Sequence, residues 1–160
     1  MPDAPPPAVP PNRSSATTRA GRPRVQQITA LLASAAALGG LAELAMLRHW
    51  SGVQLVPWVI LSIILITGVV TARGGSRLLA RVAAGLGLIG AVAGGYFHVT
   101  GNHALGPHLI ENWDALGVLE QWWAAFSGTI GANPALAPGL LALAGALLLV
   151  SVMKVTPGDH

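Results

Sequence analysis

Four apolar segments, each about 20 residues long, constrain the fold of this chain more than any other feature. They lie at about 25–47, 56–72, 79–99 and 136–155. An α-helix of this length crosses the ~30 Å hydrocarbon layer of a bilayer and satisfies its own backbone groups. Only 9% of the residues are charged, whereas soluble domains carry roughly 25%. We therefore predict an all-α integral membrane protein with four transmembrane helices.

The remaining sequence divides into tails and one loop. Residues 1–24 are rich in Pro, Ser, Thr and Arg and have few large apolar groups, which is typical of a disordered tail. The predicted transmembrane domain covers 25–155, and a short tail, 156–160, follows it.

The basic residues indicate the orientation of the spans. If the N-terminus is cytoplasmic, eight of the nine Lys and Arg residues lie on the cytoplasmic side and only Arg48 lies opposite. The eight are Arg13, Arg19, Arg22, Arg24, Arg73, Arg77, Arg81 and Lys154. This bias follows the positive-inside rule and predicts that both termini are cytoplasmic. Because these residues flank apolar spans, the basic balance does not indicate a nucleic-acid partner.

The loop before the last span contains a segment, 109–126, with helical periodicity. Trp113, Trp122, Trp123 and several leucines give it an aromatic, apolar character, and Glu120 falls on its apolar side. We expect one amphipathic helix in the plane of the outer headgroups, where indole rings are favoured. Glu120 then needs a polar partner.

Small residues recur along the third span and predict close helix packing. They are Gly87, Gly90, Ala91, Gly94 and Gly95. This stripe favours packing within the chain, against the first or the fourth span, and a homodimer seam is the alternative. The first span, with Gly39 and Gly40, is the expected partner in a close crossing.

Glu43 is the one carboxylate within a span, near its outer end. Ionisable residues in the bilayer usually face protein or a wet cavity. Glu43 is therefore either a structural carboxyl near the interface or part of a proton or ion path.

Four histidines are expected at the outer face: His49, His98, His103 and His108. Imidazole binds transition metals, so these residues are candidate ligands for a metal, and His49 with His98 for a b-type haem. Gly101, Gly106 and Pro107 are expected to break any helix that links the last three. Ordinary interfacial histidines are the alternative.

No Cys is present, which excludes disulfides and thiolate metal ligands. The sequence also has no hydrolase, metalloprotease, nucleotide-binding or dinucleotide-binding motif.

The GGYFH element at 94–98 and the Ala/Gly-rich spans resemble small inner-membrane proteins of bacteria with GC-rich genomes. That resemblance implies a multi-pass location in the bacterial inner membrane and no particular activity. The first functional hypothesis is a non-enzymatic accessory or assembly subunit, which docks a membrane-protein partner or a second copy through its Trp-rich helix. The others are metal or haem binding by the histidines and proton-coupled transport through Glu43.

Overall fold

The computed structural model describes residues 24–50, 52–128 and 136–153, and within them every regular element is helical. The α-helices are α1 (Arg24–Met46), α2 (Leu55–Ala72), α3 (Arg77–Leu109), α4 (Val118–Ser127) and α5 (Ala137–Val150). Two short 3₁₀ helices, Gly52–Gln54 and Trp113–Ala115, precede α2 and α4. The predicted tails, except Arg24, lie outside the described residues.

Helices α1, α2, α3 and α5 form a bundle in which neighbours along the chain run in opposite directions. Near the start of α1, the Gln26 amide donates to the Met153 carbonyl just after α5 (2.9 Å). Halfway along, the Ser34 hydroxyl donates to the Leu65 carbonyl of α2 (3.0 Å). We refer to the two ends of the bundle as the Arg24 end and the His49 end.

Helices α3 and α5 approach each other closely through glycines. A Cβ added to Gly145 would be 3.0 Å from the Ala84 carbonyl oxygen, and one added to Gly87 would be 3.3 Å from the Gly145 Cα. The predicted close crossing of the first and third spans is wrong, because among the described residues α1 packs on α2 and α5. The other expected neighbour of the third span, the fourth span, is α5, which α3 contacts.

The small residues of the third span do not all contact the same neighbour. Gly90 faces Ile60 of α2, and Gly94 faces Pro138 of α5. Ala91 packs against the core. Nothing lies within 4 Å of a Cβ placed on Gly95.

The exterior of the bundle is more apolar than a soluble surface. The buried core is built largely from alanines, while leucines, isoleucines and valines are exposed along α1, α2 and α3. Small residues inside and large apolar residues outside are typical of helices that pack in lipid. Three helical segments, Arg24–Met46, Gly52–Ala72 and Arg77–Leu109, are long and apolar enough to cross a membrane. The fourth, α5, has 14 residues and a length of about 21 Å.

Helix α3 is longer than predicted. It continues from the expected end near residue 99 to Leu109, through Gly101, Gly106 and Pro107. The expected helix break is therefore wrong. Gly94 is level with the first turn of α5, so the 15 residues from there to Leu109 extend about 22 Å past the start of α5.

The predicted single helix over 109–126 is also wrong. Asn112 adopts a left-handed backbone conformation (φ 60°), so α3 ends and the chain turns before α4 begins. Helix α4 then runs back along α3, with its Ala125 carbonyl beside Asn102. We refer to residues 95–128 as the α3–α4 lobe.

Candidate functional site

The turn after α1 directs His49 into the bundle. Arg48 has a left-handed conformation (φ 53°), its N–H donates to Ala45, and the His49 N–H donates back to the Leu44 carbonyl. These two bonds form the Schellman ending of a helix, in which the left-handed residue is usually glycine. His49 is buried as a result, with 8% of its surface exposed.

Two tryptophans, Trp50 of this turn and Trp58 of α2, hold the turn against α2. The Trp58 indole N–H donates to the His49 carbonyl (2.6 Å). Trp50 stacks on Trp58 with ring centroids 5.2 Å apart. The His49 backbone is therefore tied to the first turns of α2.

A cavity of about 410 Å³ lies at the His49 end, between α1, α2, α3 and α5. Its polar side chains, among the described lining residues, are His49, His98 and Gln54. The other lining residues are apolar or glycine. The structure thus brings together two of the four predicted histidines.

His98 also contacts the polar centre of the lobe, Asn102. The Asn102 amide is fully buried and donates to the carbonyls of Ala125 (3.0 Å) and Gly128 (2.9 Å). Two carbonyl acceptors identify the nitrogen of this amide, which also lies 3.2 Å from the His98 Nε2. An amide nitrogen carries two hydrogens, and the two carbonyls accept them, so its contact with Nε2 is a weaker, shared one. Nδ1 is shielded from water and has no partner among the described residues.

Asn102 is the residue beside the candidate site that sequence reasoning missed. It lies four positions after His98, on the same face of α3. This four-residue spacing is visible in the sequence. The predicted third span ended near residue 99, however, so Asn102 was not placed on the same helix as His98.

Three aromatic contacts hold the rest of the lobe. Trp113 is buried against Gly106, so closely that an added Cβ would be 2.5 Å from its ring. His103 stacks on Trp122, with centroids 4.1 Å apart, and meets Trp113 edge-on. Trp113 is thus a core residue of the lobe, and His103 is held between indole rings away from the cavity.

The outward face of α4 remains exposed and apolar. Its most buried residue is Ala125, which is fully buried. Its exposed large side chains are Val118, Leu119, Trp122, Trp123 and Phe126. Glu120 is exposed as well, and its carboxylate accepts the Gly117 N–H (2.9 Å), which caps the start of α4. The polar partner that the sequence required for Glu120 is thus a backbone group.

Glu43 performs a similar role for α5. Its Oε1 accepts the Leu136 N–H (3.0 Å) at the first turn of that helix. A carboxylate is favoured there by the unpaired N–H groups and the dipole of a helix start. Its Oε2 is buried and has no hydrogen-bond partner among the described residues.

The histidines are not gathered into one cluster. His49 and His98 line the cavity, His103 lies in the aromatic stack, and His108 is exposed near the end of α3. The described residues hold no group of three or more His, Asp or Glu side chains placed to share a metal ion. A four-histidine metal centre stays a prediction.

Three helices of this chain are long and apolar enough to cross a membrane, which suggests a membrane protein. At one end of its bundle lies a largely apolar cavity that contains two histidines. Comparisons with protein-family models, curated proteins and solved structures found no match for this chain.

Proposed function

We propose that this protein is a four-span subunit of the bacterial inner membrane, with both termini in the cytoplasm, and that it docks a membrane-protein partner through α4. In this proposal α5 is the fourth span. The protein acts as a non-enzymatic accessory or assembly factor, and the α3–α4 lobe is its docking module.

The charge distribution supports the orientation. Arg24, Arg73, Arg77 and Arg81 are exposed at one end of the bundle, whereas Arg48 is at the other. Basic residues are retained on the cytoplasmic side of membrane proteins. The lobe then lies on the outer side.

The observation that carries the docking role is the exposed apolar face of α4. Helix α3 extends about 22 Å past the start of α5. Helix α5 is about 9 Å shorter than the hydrocarbon layer, and a headgroup layer is about 5–8 Å deep, so the end of α3 reaches past both. Leu119 lies near the far end of the lobe and is 85% exposed. Lipid headgroups would cover Trp123 and Phe126, nearer the bundle, more readily than Leu119.

The rigidity of the lobe supports a protein partner over a loose membrane contact. Asn102 joins the end of α4 to α3, and Trp113 fills the space beside Gly106. A fixed, aromatic-rich surface loses little conformational entropy on binding, and such residues are enriched at binding hot spots.

The test is site-specific photo-crosslinking in the native host membrane. A photoreactive residue at position 119 should give one discrete protein adduct, and the same residue at Val82, on the exposed side of α3 within the bundle, should not. Leu119→Glu with the photoreactive residue at the adjacent, exposed Val118 should lose the protein adduct while the helix content stays constant. Adducts with lipid alone would overturn the proposal, and adducts with a second copy alone would replace the partner by a homo-oligomer.

Two other sequence hypotheses have direct tests. Elemental analysis and a visible spectrum of the purified protein test metal and haem binding. Proton flux in vesicles that contain Glu43→Gln tests transport, and the Glu43 bond to the start of α5 supports a structural role instead.

A further inference from the structure

The cavity at the His49 end arises from side-chain sizes. On α3 it is lined by Gly90, Ala93 and Gly94, which fill little of the space opposite the first turns of α2. Buried Leu44 and Leu141 line its inner part. Its volume, about 410 Å³, lies in the range of small-molecule sites.

The cavity is reached from the side of the bundle. Val53 just before α2, Val56 in its first turn and Phe97 of α3 also line it and are exposed. Because the outer surfaces of these helices are apolar, this opening faces lipid when α2 and α3 span a bilayer. A ligand would enter from the membrane.

The lining disfavours a charged ligand but can accommodate a polar one. Among the described lining residues there is no Asp, Glu, Lys or Arg, while His49 and His98 supply imidazoles. An acyl chain alone would fill the space but offer no hydrogen bond, which costs about 1–3 kcal/mol for each buried polar atom that then lacks a partner. The Nδ1 of His98 is such a group.

We propose that this cavity binds an uncharged, membrane-dissolved molecule with oxygen atoms on a ring, the quinone or quinol class. The apolar walls enclose the ring and the first part of its chain. His49 hydrogen-bonds one oxygen, and His98 bonds another once its ring turns the shielded Nδ1 toward the cavity. This inference does not depend on the docking role of α4.

The test is a binding titration of the full chain in lipid nanodiscs with decylubiquinone, followed by quenching of tryptophan fluorescence. We expect saturable quenching by the native protein, since Trp50 and Trp58 lie beside His49. His49→Phe and His98→Phe should each weaken binding about tenfold, the effect of one lost hydrogen bond.

A space-filling variant gives an independent arm of the experiment. Ala93→Phe places a ring in the cavity and should abolish saturable quenching. The matched controls are Val82→Phe, on the exposed side of α3, and His108→Phe, outside the cavity lining. Both should bind as the native protein does.

Three results would overturn the proposal. One is equal affinity in native protein and Ala93→Phe, with unchanged helix content. Another is non-saturable quenching, which reports partition into lipid only. The third is haem that co-purifies with the native protein and is lost in both cavity-histidine variants.

Discussion

Replacing Asn102 by leucine should release α4 from α3 while the four-helix bundle stays intact. The Asn102 amide satisfies two carbonyls at the end of α4, those of Ala125 and Gly128. The last carbonyls of a helix have no partner within the helix. Leucine has a similar size and no donor, so both carbonyls would lose their partner. The Ala125 carbonyl belongs to a fully buried residue and the Gly128 carbonyl to a partly buried one.

The magnitude follows from these two bonds. Leaving a buried acceptor unpaired costs about 1–3 kcal/mol, and taking one to two for each gives about 2–4 kcal/mol for the docking of α4. At 1.4 kcal/mol per factor of ten, amide exchange in α4 should accelerate roughly 30-fold to several-hundred-fold.

The measurement is hydrogen exchange in nanodiscs, resolved by peptide. Faster exchange should be confined to α4 and the adjoining part of α3, with α1, α2 and α5 unchanged. Ser127→Ala is the matched control, because the Ser127 hydroxyl donates only within α4, to Trp123. Unchanged exchange in α4, or an equal increase in every helix, would refute the role assigned to Asn102.

Three further substitutions test local features of the fold. Gly106→Ala would drive a methyl group into the ring of Trp113 and should destabilise the lobe by about 1–3 kcal/mol, seen as a red shift in tryptophan emission; Gly95→Ala, with open space around it, should not. Glu43→Leu removes the acceptor at the start of α5 and should cost about 1 kcal/mol in thermal unfolding, whereas Glu43→Gln keeps an oxygen there and should cost less. Arg48→Gly relieves a left-handed non-glycine residue and should raise stability by about 1 kcal/mol; a lower melting temperature would contradict the assigned turn.

The apolar spans could be predicted because hydropathy and length are local properties. The second span, expected at 56–72, is observed as Leu55–Ala72, and the predicted inward face of α3 contains the glycines that approach α2 and α5. Neighbour relations between spans depend on matching surfaces, and a single helix pattern does not contain that information. The number of spans and their orientation also depend on the membrane.

The region after residue 99 could not be predicted from local rules because a tertiary contact overrides them. Glycine and proline disfavour a helix interior, yet Gly106 is required there so that Trp113 can approach the backbone. Pro107 is in the last turn of α3, so the helix continues for only two residues beyond it. Asn112, by contrast, is a residue type that tolerates the left-handed region and so indicates a helix break. The prediction of one helix over 109–126 relied on periodicity and did not weigh this residue.

His98 belongs both to the cavity and to the anchor of the lobe, which affects how its substitution should be interpreted. It lines the cavity, and its Nε2 meets the Asn102 amide. Weaker ligand binding in His98→Phe could therefore result from a loosened lobe as well as from a lost ligand contact. His49 separates these causes, because it lies in the turn after α1 and its observed bonds are to α1 and α2. If His49→Phe weakens binding and Asn102→Leu does not, the imidazoles act on the ligand directly.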